Sequence, residues 1–379
     1  MTAETVLDNA RIVLADQIVE GSIVLRDGVI ADIAPRAGRS GEDMGGDFII
    51  PGLVELHTDH LEGHYAPRPK VRWNPIAAVL AHDAQVATAG ITTVLDALRV
   101  GMDEDADLTA ADIRKLAEAI EDSVQQDRLR ADHFIHLRCE VSAPNCLTAF
   151  ANFDGDERVR LASLMDHAPG QRQFVDLETY AYYYQRKLKL TDRDFQKFCE
   201  KRMAESAKNS SPNRGFIAAA CKERGIVLAS HDDATVSHVD EAIEQGVRVA
   251  EFPTTEEAAR ASKEAGLGVL MGAPNVMRGA SHSGNVSART LAGDGLLDIL
   301  SSDYIPFSLI QSAFFLGDVV EGISLPQAVA MVSKNPAEAV GLTDRGVIEP
   351  GRRADLVRVR VDDHVPVVRT VWRQGRRVA

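Results

Sequence analysis

Hydrophobic and polar positions alternate with period two near the start of the chain. Over residues 3–49 short β-rich runs in ETVLDNARIVLADQIVEGSIVLRDGVIADIAP are punctuated by turns at Asp8-Asn9 and Asp27-Gly28. The same texture returns at 345–379, where RGVIEPGRRADLVRVRVDDHVPVVRTVWRQGRRVA places Val-rich strands between Pro-Gly and Asp-Asp turns. These segments predict one small β-sandwich domain formed by both chain termini, residues 1–49 plus 345–379. Between them the period changes. Eight apolar runs, at 49–56, 91–98, 133–139, 161–165, 225–230, 246–252, 266–272 and 296–302, each stop at polar residues. Helical patterns at 75–89, 109–127, 236–245, 254–265 and 326–341 intervene, the last broken at Asn335-Pro336. That rhythm is α/β, and eight alternations favour a closed (β/α)8 TIM barrel over an open doubly wound sheet, with the barrel spanning residues 50–344. Residues 170–215 break the rhythm. They are long, polar and helical in propensity, and read as an insertion, either a solvated helical pair or a lid over the strand ends.

An apolar fraction of 45% with 26% charged residues is the balance of a globular chain with a full core. No stretch approaches the ~18 consecutive apolar residues of a membrane helix, and the N-terminus lacks a basic region followed by an apolar run. The expected location is the cytoplasm, with no membrane partner. Cys139, Cys146, Cys199 and Cys221 form no C-x-x-C pair and are expected to be reduced, buried and small. A net charge of −14 repels polyanions, so nucleic acid is not expected as a partner and an anionic substrate needs a locally basic pocket.

The chemistry lies where the apolar runs stop. After IIPGLVEL comes His57-Thr58-Asp59, and extended backbone points His57 and Asp59 to one side, where both can bind one ion. The later runs lead to Glu140, His167, His231 and Asp303. In a (β/α)8 barrel the C-terminal strand ends converge on one mouth, so residues scattered along the chain can meet there. Imidazole and carboxylate donors suit a divalent metal cofactor, zinc first among the candidates, with manganese or iron also fitting.

The string PGLVELHTDHLEGH resembles the P-G-x-x-D-x-H-x-H stretch of the amidohydrolase superfamily, with Glu55 at the acid, His57 at the first histidine and Asp59 at the second. The usual H-x-H is here H-x-D. Glu140 stands where many members carry a carbamylated lysine that bridges two metals, and a glutamate can bridge without modification. By that resemblance His57, Asp59 and Asp303 hold the first ion, Glu140 bridges, and His167 and His231 hold the second. Asp303 then accepts the proton of the attacking water, His231 or His282 assists, and Asp232 and Asp233 orient His231. Homodimers recur among members, so the resemblance admits a homodimer here.

A narrower resemblance rests on HTDHLEGHYAPRPKVRW, SHDDAT, EFPTT, GAPNVMRGASHSGNVSA, SSDYIP and KNPAEAVGL. Together these are similar to the triphosphate hydrolases of the carbon-phosphorus lyase pathway. The resemblance implies a small phosphorylated substrate, α-D-ribose 1-methylphosphonate 5-triphosphate, split into the 5-phosphate and pyrophosphate. Independently of it, a triphosphate needs cations around it. Arg68, Lys70 and Arg72 crowd the loop after the first barrel strand, Arg278, His282, Ser283 and Asn285 share a Gly-containing loop, and Lys187 lies in the insertion beside Arg186 and Lys189. Two alternatives stay open: an amide or cyclic-amide hydrolase, since the metal site alone does not choose between carbon and phosphorus, and a non-catalytic scaffold of the same fold.

Overall fold

The computed structural model describes residues 4–35, 40–101, 108–172, 180–181, 185, 190–281 and 284–379. Period-two segments from both ends of the chain build one mixed sheet. Its strands run in the order β16 (Arg376–Arg377), β15 (Val365–Arg373), β14 (Leu356–Asp362), β5 (Phe48–Pro51), β1 (Glu4–Val13), β2 (Ile18–Arg26) and β3 (Val29–Pro35), with β4 (Glu42–Asp43) beside β1. Residues from both arms share one core, with Ile23 and Ile30 packed among Leu356 and Trp372. The expected β unit of the two termini is therefore present as a continuous sheet folded over its own core.

At Gly52 the chain leaves this sheet for the barrel. A Cβ there would lie 2.2 Å from Thr92 Oγ1, so the crossing backbone requires a residue without a side chain. The barrel is eight strands in chain order, β6 (Leu53–Thr58), β7 (Ile91–Val100), β8 (Asp132–Glu140), β9 (Val159–Met165), β10 (Val227–His231), β11 (Val249–Glu251), β12 (Gly268–Gly272) and β13 (Ile299–Ser301), and the paired neighbours are parallel. Each expected apolar run supplies one of these strands. Closure between β13 and β6 rests on a parallel bridge from Thr58 to Asp303 and on side chains. Ser301 Oγ donates to the His57 carbonyl at 2.7 Å, and the Glu55 carboxylate accepts from the His57 amide at 2.7 Å and the Ser302 amide at 2.6 Å. The acid of the P-G-x-x-E-x-H string is thus a stitch in the barrel wall. Burial pushes its pKa up.

Helices cover the outside. They include α1 (His60–Tyr65), α2 (Pro75–Thr88), α3 (Ala110–Gln125), α4 (Cys146–Ala151), α5 (Asp192–Arg224), α6 (Val236–Glu244), α7 (Glu256–Glu264), α8 (Ala273–Arg278), α9 (Ala288–Gly293), α10 (Ser308–Val319), α11 (Leu325–Ala330) and α12 (Lys334–Ala339). Side-chain oxygens of Asn74, Thr109, Thr191, Thr235, Thr255, Ser287 and Ser324 cap seven of them. The single helix expected over 326–341 is two, α11 and α12. Part of the expected insertion is helical: α5 begins at Asp192 and runs on to Arg224, just before β10. Among the described residues no helix is long and apolar enough to cross a membrane. Cys139, Cys146 and Cys221 are buried and Cys199 is half-buried, all four as free thiols.

Candidate metal centre

Strand alternation sorts the barrel interior into layers. Leu95, Leu161, Ala229, Val249, Leu270 and Ile299 pack into one apolar plug across it. Two positions further along their strands, on the same face, stand Ser163, His231, Glu251 and Ser301. On β8 the inward positions climb from Phe134 through His136 and Arg138 to Glu140. A polar, titratable floor therefore lies directly on the plug, at the C-terminal end of the strands.

Glu251 is the hub of that floor. It is 1% exposed, and His57 Nδ1 lies 3.2 Å from Oε1 while His231 Nδ1 lies 3.1 Å from Oε2. Ser163 Oγ donates to Oε2 at 2.6 Å. His136 donates through Nδ1 to the Leu56 carbonyl at 2.9 Å, which leaves Nε2 unprotonated in the neutral ring, 3.8 Å from the same carboxylate and in contact with Ser163 Oγ at 2.5 Å. Burial alone would raise the Glu251 pKa, but the surrounding histidines outweigh it and hold the carboxyl well below its usual range. Burial drives the His136 pKa down to about 3, so this ring is neutral.

Potential ligand atoms gather in two groups here. His57, His136 and Glu251 offer donors within 4.8 Å of one another, and so do His167, His231 and Asp232. The rings of His57 and His231 stack at 5.6 Å, and His167 lies edge-on to His231 at 5.7 Å, so the groups adjoin. Phe252 walls both, with centroids 5.1 Å from His57 and 5.2 Å from His231. Nitrogen and carboxylate donors, largely withdrawn from water and aimed at a common space, fit divalent transition ions.

The backbone at the strand ends helps to aim these groups. Asp232, Phe252 and Asp303 each immediately follow or closely follow a barrel strand, and each has a left-handed φ, of 56°, 53° and 54°. Such a conformation is costly for an aromatic residue, and strain of this kind collects at functional sites.

The other expected residues occupy distinct places. Glu140 ends the third barrel strand, where its carboxylate meets His167 Nδ1 at 2.6 Å and accepts from the His167 amide at 3.1 Å. Burial raises its pKa, but His167 outweighs burial and brings it to about 2. Asp59 immediately precedes α1 and accepts from Arg138 at 3.0 Å. Asp303, bridged to Thr58 through the backbone, stands close enough to influence both His57 and Arg138 electrostatically. Asp233 pairs with the Arg172 guanidinium rather than with His231.

Of the basic side chains, Arg68 and Lys70 are exposed, whereas Arg72 leans on α3 with Nε 3.6 Å from Asp112. Arg278 is exposed at the end of α8 and Asn285 is half-buried. Lys187, His282 and Ser283, with Arg186 and Lys189, lie outside the described residues.

Sequence reasoning passed over Glu251, His136, Ser163 and Arg138. Glu251 had a readable signal, since it stands two residues after Val249 at the end of an apolar run. Arg138 and His136 sit inside the run HFIHLRC, where the alternation with Ile135, Leu137 and Cys139 marks them as sharing a face. A cavity of about 840 Å³ lies at the other end of the barrel, by the starts of β8 and β9. Its arginines are committed to structure: Arg345, Arg353 and Arg373 reach Asp132 at 2.8, 2.7 and 3.2 Å and tie the terminal sheet to the barrel.

Known proteins resemble this chain in sequence and in fold. Residues 202–379 match the model of the amidohydrolase family. The chain is 49% identical over 377 residues, 98% of its length and 100% of the relative's, to the alpha-D-ribose 1-methylphosphonate 5-triphosphate diphosphatase of Escherichia coli K12. Among solved structures it is similar to N-acetyl-D-glucosamine-6-phosphate deacetylase from Mycobacterium smegmatis, with a TM-score of 0.66 at 16% identity and 99% of each chain covered. It is also similar to 5-methylcytosine deaminase from Klebsiella pneumoniae, with a TM-score of 0.65 at 16% identity, covering 99% of this chain and 98% of that one. At such identities the two structures speak for the fold alone.

Proposed function

Because this chain belongs to the amidohydrolase family, we propose that it is a metal-dependent diphosphatase acting on α-D-ribose 1-methylphosphonate 5-triphosphate, releasing the 5-phosphate and pyrophosphate in phosphonate breakdown. The observation that carries the reading is the 49% identity to the Escherichia coli diphosphatase along 98% of the chain. The paired histidine and carboxylate groups around Glu251 support it chemically.

In this proposal two divalent ions, zinc by donor type, would be held by His57, Glu251 and Asp303 on one side and by His167, His231 and Asp232 on the other. Glu140 fixes the tautomer of His167 and Asp59 holds Arg138. Divalent ions in such a site supply Lewis acidity, lowering the pKa of water from 15.7 toward ~7 and drawing charge from phosphate oxygens. Asp303, at the end of the last barrel strand, accepts the proton of the attacking water. Arg138 is fixed by Asp59 and places a permanent positive charge inside the mouth of a protein whose net charge is −14. Arg68 and Lys70 on an exposed loop and Arg278 at the exposed end of α8 would neutralise the outer phosphates together with Lys187 and His282, while Ser283 and Asn285 would hydrogen-bond to them. Arg72 would set the loop through Asp112. Pyrophosphate leaves readily once cations surround it. The four free cysteines suit a reducing, cytoplasmic location.

Phosphorus NMR of the metal-loaded protein with α-D-ribose 1-methylphosphonate 5-triphosphate, repeated with ATP and after chelation, tests the reading. Chelator-sensitive release of pyrophosphate is the expected result. A metal-loaded protein that leaves the triphosphate intact and opens a cyclic amide would replace this function with amide hydrolysis.

A further inference from the structure

Histidines also gather on the outer side of the barrel wall. α1 supplies His60 and His64, four residues apart and so on one helix face, and α2 supplies His82. One ring nitrogen from each lies within 4.8 Å of the other two. Ring centroids are separated by 5.0 Å for His60 and His64, 6.2 Å for His60 and His82, and 6.0 Å for His64 and His82.

The outer hydrogen bonds bear on which nitrogens carry protons. His64 Nε2 donates to Gln85 Oε1 at 3.0 Å, and His82 Nε2 donates to Asp96 Oδ1 at 2.8 Å. Both acceptors lack a proton, so Nε2 is the donor, and in the neutral ring Nδ1 of each is left with its lone pair. His82 Nδ1 and His60 Nδ1 are buried and have no hydrogen-bond partner among the described residues. A packed core histidine ordinarily satisfies its buried nitrogens. Here two buried nitrogens from two helices remain unsatisfied in one cluster, an arrangement that a cation would stabilise.

We propose that His60, His64 and His82 bind a divalent transition ion, zinc by its all-imidazole donor set, outside the barrel and separate from the centre around Glu251. The support behind His82 is that of a metal ligand. Asp96 Oδ2 accepts from His133 Nδ1 at 2.8 Å, and His133 Nε2 faces Asp83 at 3.4 Å, so a buried chain of carboxylates and imidazole fixes the ring. Asp96 and His133 alternate with Leu95 and Phe134, which face the interior, and this places them on the outer side of the strands. His60 and His64 are half-buried, which leaves an outward side for water as a fourth ligand.

The ion would clamp α1 to α2. A six-residue helix has little stability of its own. α1 begins directly after Asp59 and leads into the loop bearing Arg68, Lys70 and Arg72, so the clamp would fix both flanks relative to the mouth.

The full-length protein, stripped by chelation, reloaded with zinc and crystallised, gives the direct test. Anomalous difference density at the zinc edge is expected between the three rings. Density near Glu251 with none between the rings overturns the proposal, and so does a crystal without zinc at either place. Density between the rings alone upholds it and counts instead against the centre around Glu251. In solution, His64→Ala and His60→Gln are each expected to lose about one zinc equivalent per chain, whereas Glu251→Gln retains that equivalent. Unchanged zinc in both histidine variants, each folded by circular dichroism, overturns the site.

Discussion

His57 Nδ1 lies 3.2 Å from Glu251 Oε1 across 194 residues of chain, and the other oxygen of the same carboxylate lies 3.1 Å from His231 Nδ1. One carboxylate therefore sets the orientation of two imidazoles from different strands. Replacing Glu251 by Gln keeps the shape but removes the negative charge and offers a donor where only acceptors fit. Metal affinity at this centre is expected to fall by at least roughly 10–100-fold, the usual cost of losing a partner that orients metal-bound histidine, because Glu251 is also a proposed ligand. Isothermal titration with zinc checks it, and an unchanged affinity would remove Glu251 from the centre.

Asp303 is the proposed proton acceptor, placed by the closing bridge to Thr58. Asp303→Asn should reduce kcat by about 10²–10⁴-fold, the range lost with a general base, while much of the metal stays bound. Pyrophosphate release assayed beside metal content separates the two effects. Wild-type turnover in the variant would exclude this role.

Arg138 and Arg278 make different claims on the substrate. Arg278 is exposed at the end of α8, so Arg278→Ala should weaken kcat/KM for the triphosphate far more than for an uncharged ester, with the fold intact. Arg138 is held inside the mouth by Asp59. Arg138→Met should impair folding stability as well as turnover, because Asp59 and Glu62 would lose their shared cation. Thermal melts distinguish the two substitutions, and equal effects of Arg278→Ala on both substrates would argue against a phosphate contact.

The buried relay behind β7 and β8 predicts a pH dependence. Burial would lower the His133 pKa, but Asp96 and Asp83 outweigh it and raise it to about 10 from the usual 6.5, while Asp96 falls to about 2 from 3.8. The His133 contribution to stability is full below pH 6.5 and is lost as pH rises through 10; that of Asp96 is full above pH 3.8 and is lost as pH falls through 2. Both contributions are therefore complete between pH 3.8 and 6.5, and the urea midpoint should decline toward pH 10. Nitrogen-15 histidine NMR should show one imidazolium persisting beyond pH 8. A spectrum in which every imidazole is neutral at pH 8 would contradict the relay.

Much of this molecule is written in local pattern. Alternation in the terminal segments and the apolar runs between them identify the small β unit and the eight barrel strands, because solvent exclusion imposes the same periods wherever such elements form. The positions of His57, His167, His231 and Asp303 were likewise legible, since each follows an apolar run. What the sequence could not decide is which of these groups meet. Asp59 was expected beside His57 on an ion, but here its carboxylate reaches Arg138, a choice set by the inward face of β8, two strands away. Glu251 looks in sequence like the polar end of one more strand. It becomes the hub because a closed barrel brings the ends of β6, β8, β9 and β10 around it. The sequence alone determined the strands and the kinds of donor they carry; closure of the barrel decided their partners, because contacts between strands depend on a shared mouth that no local period encodes.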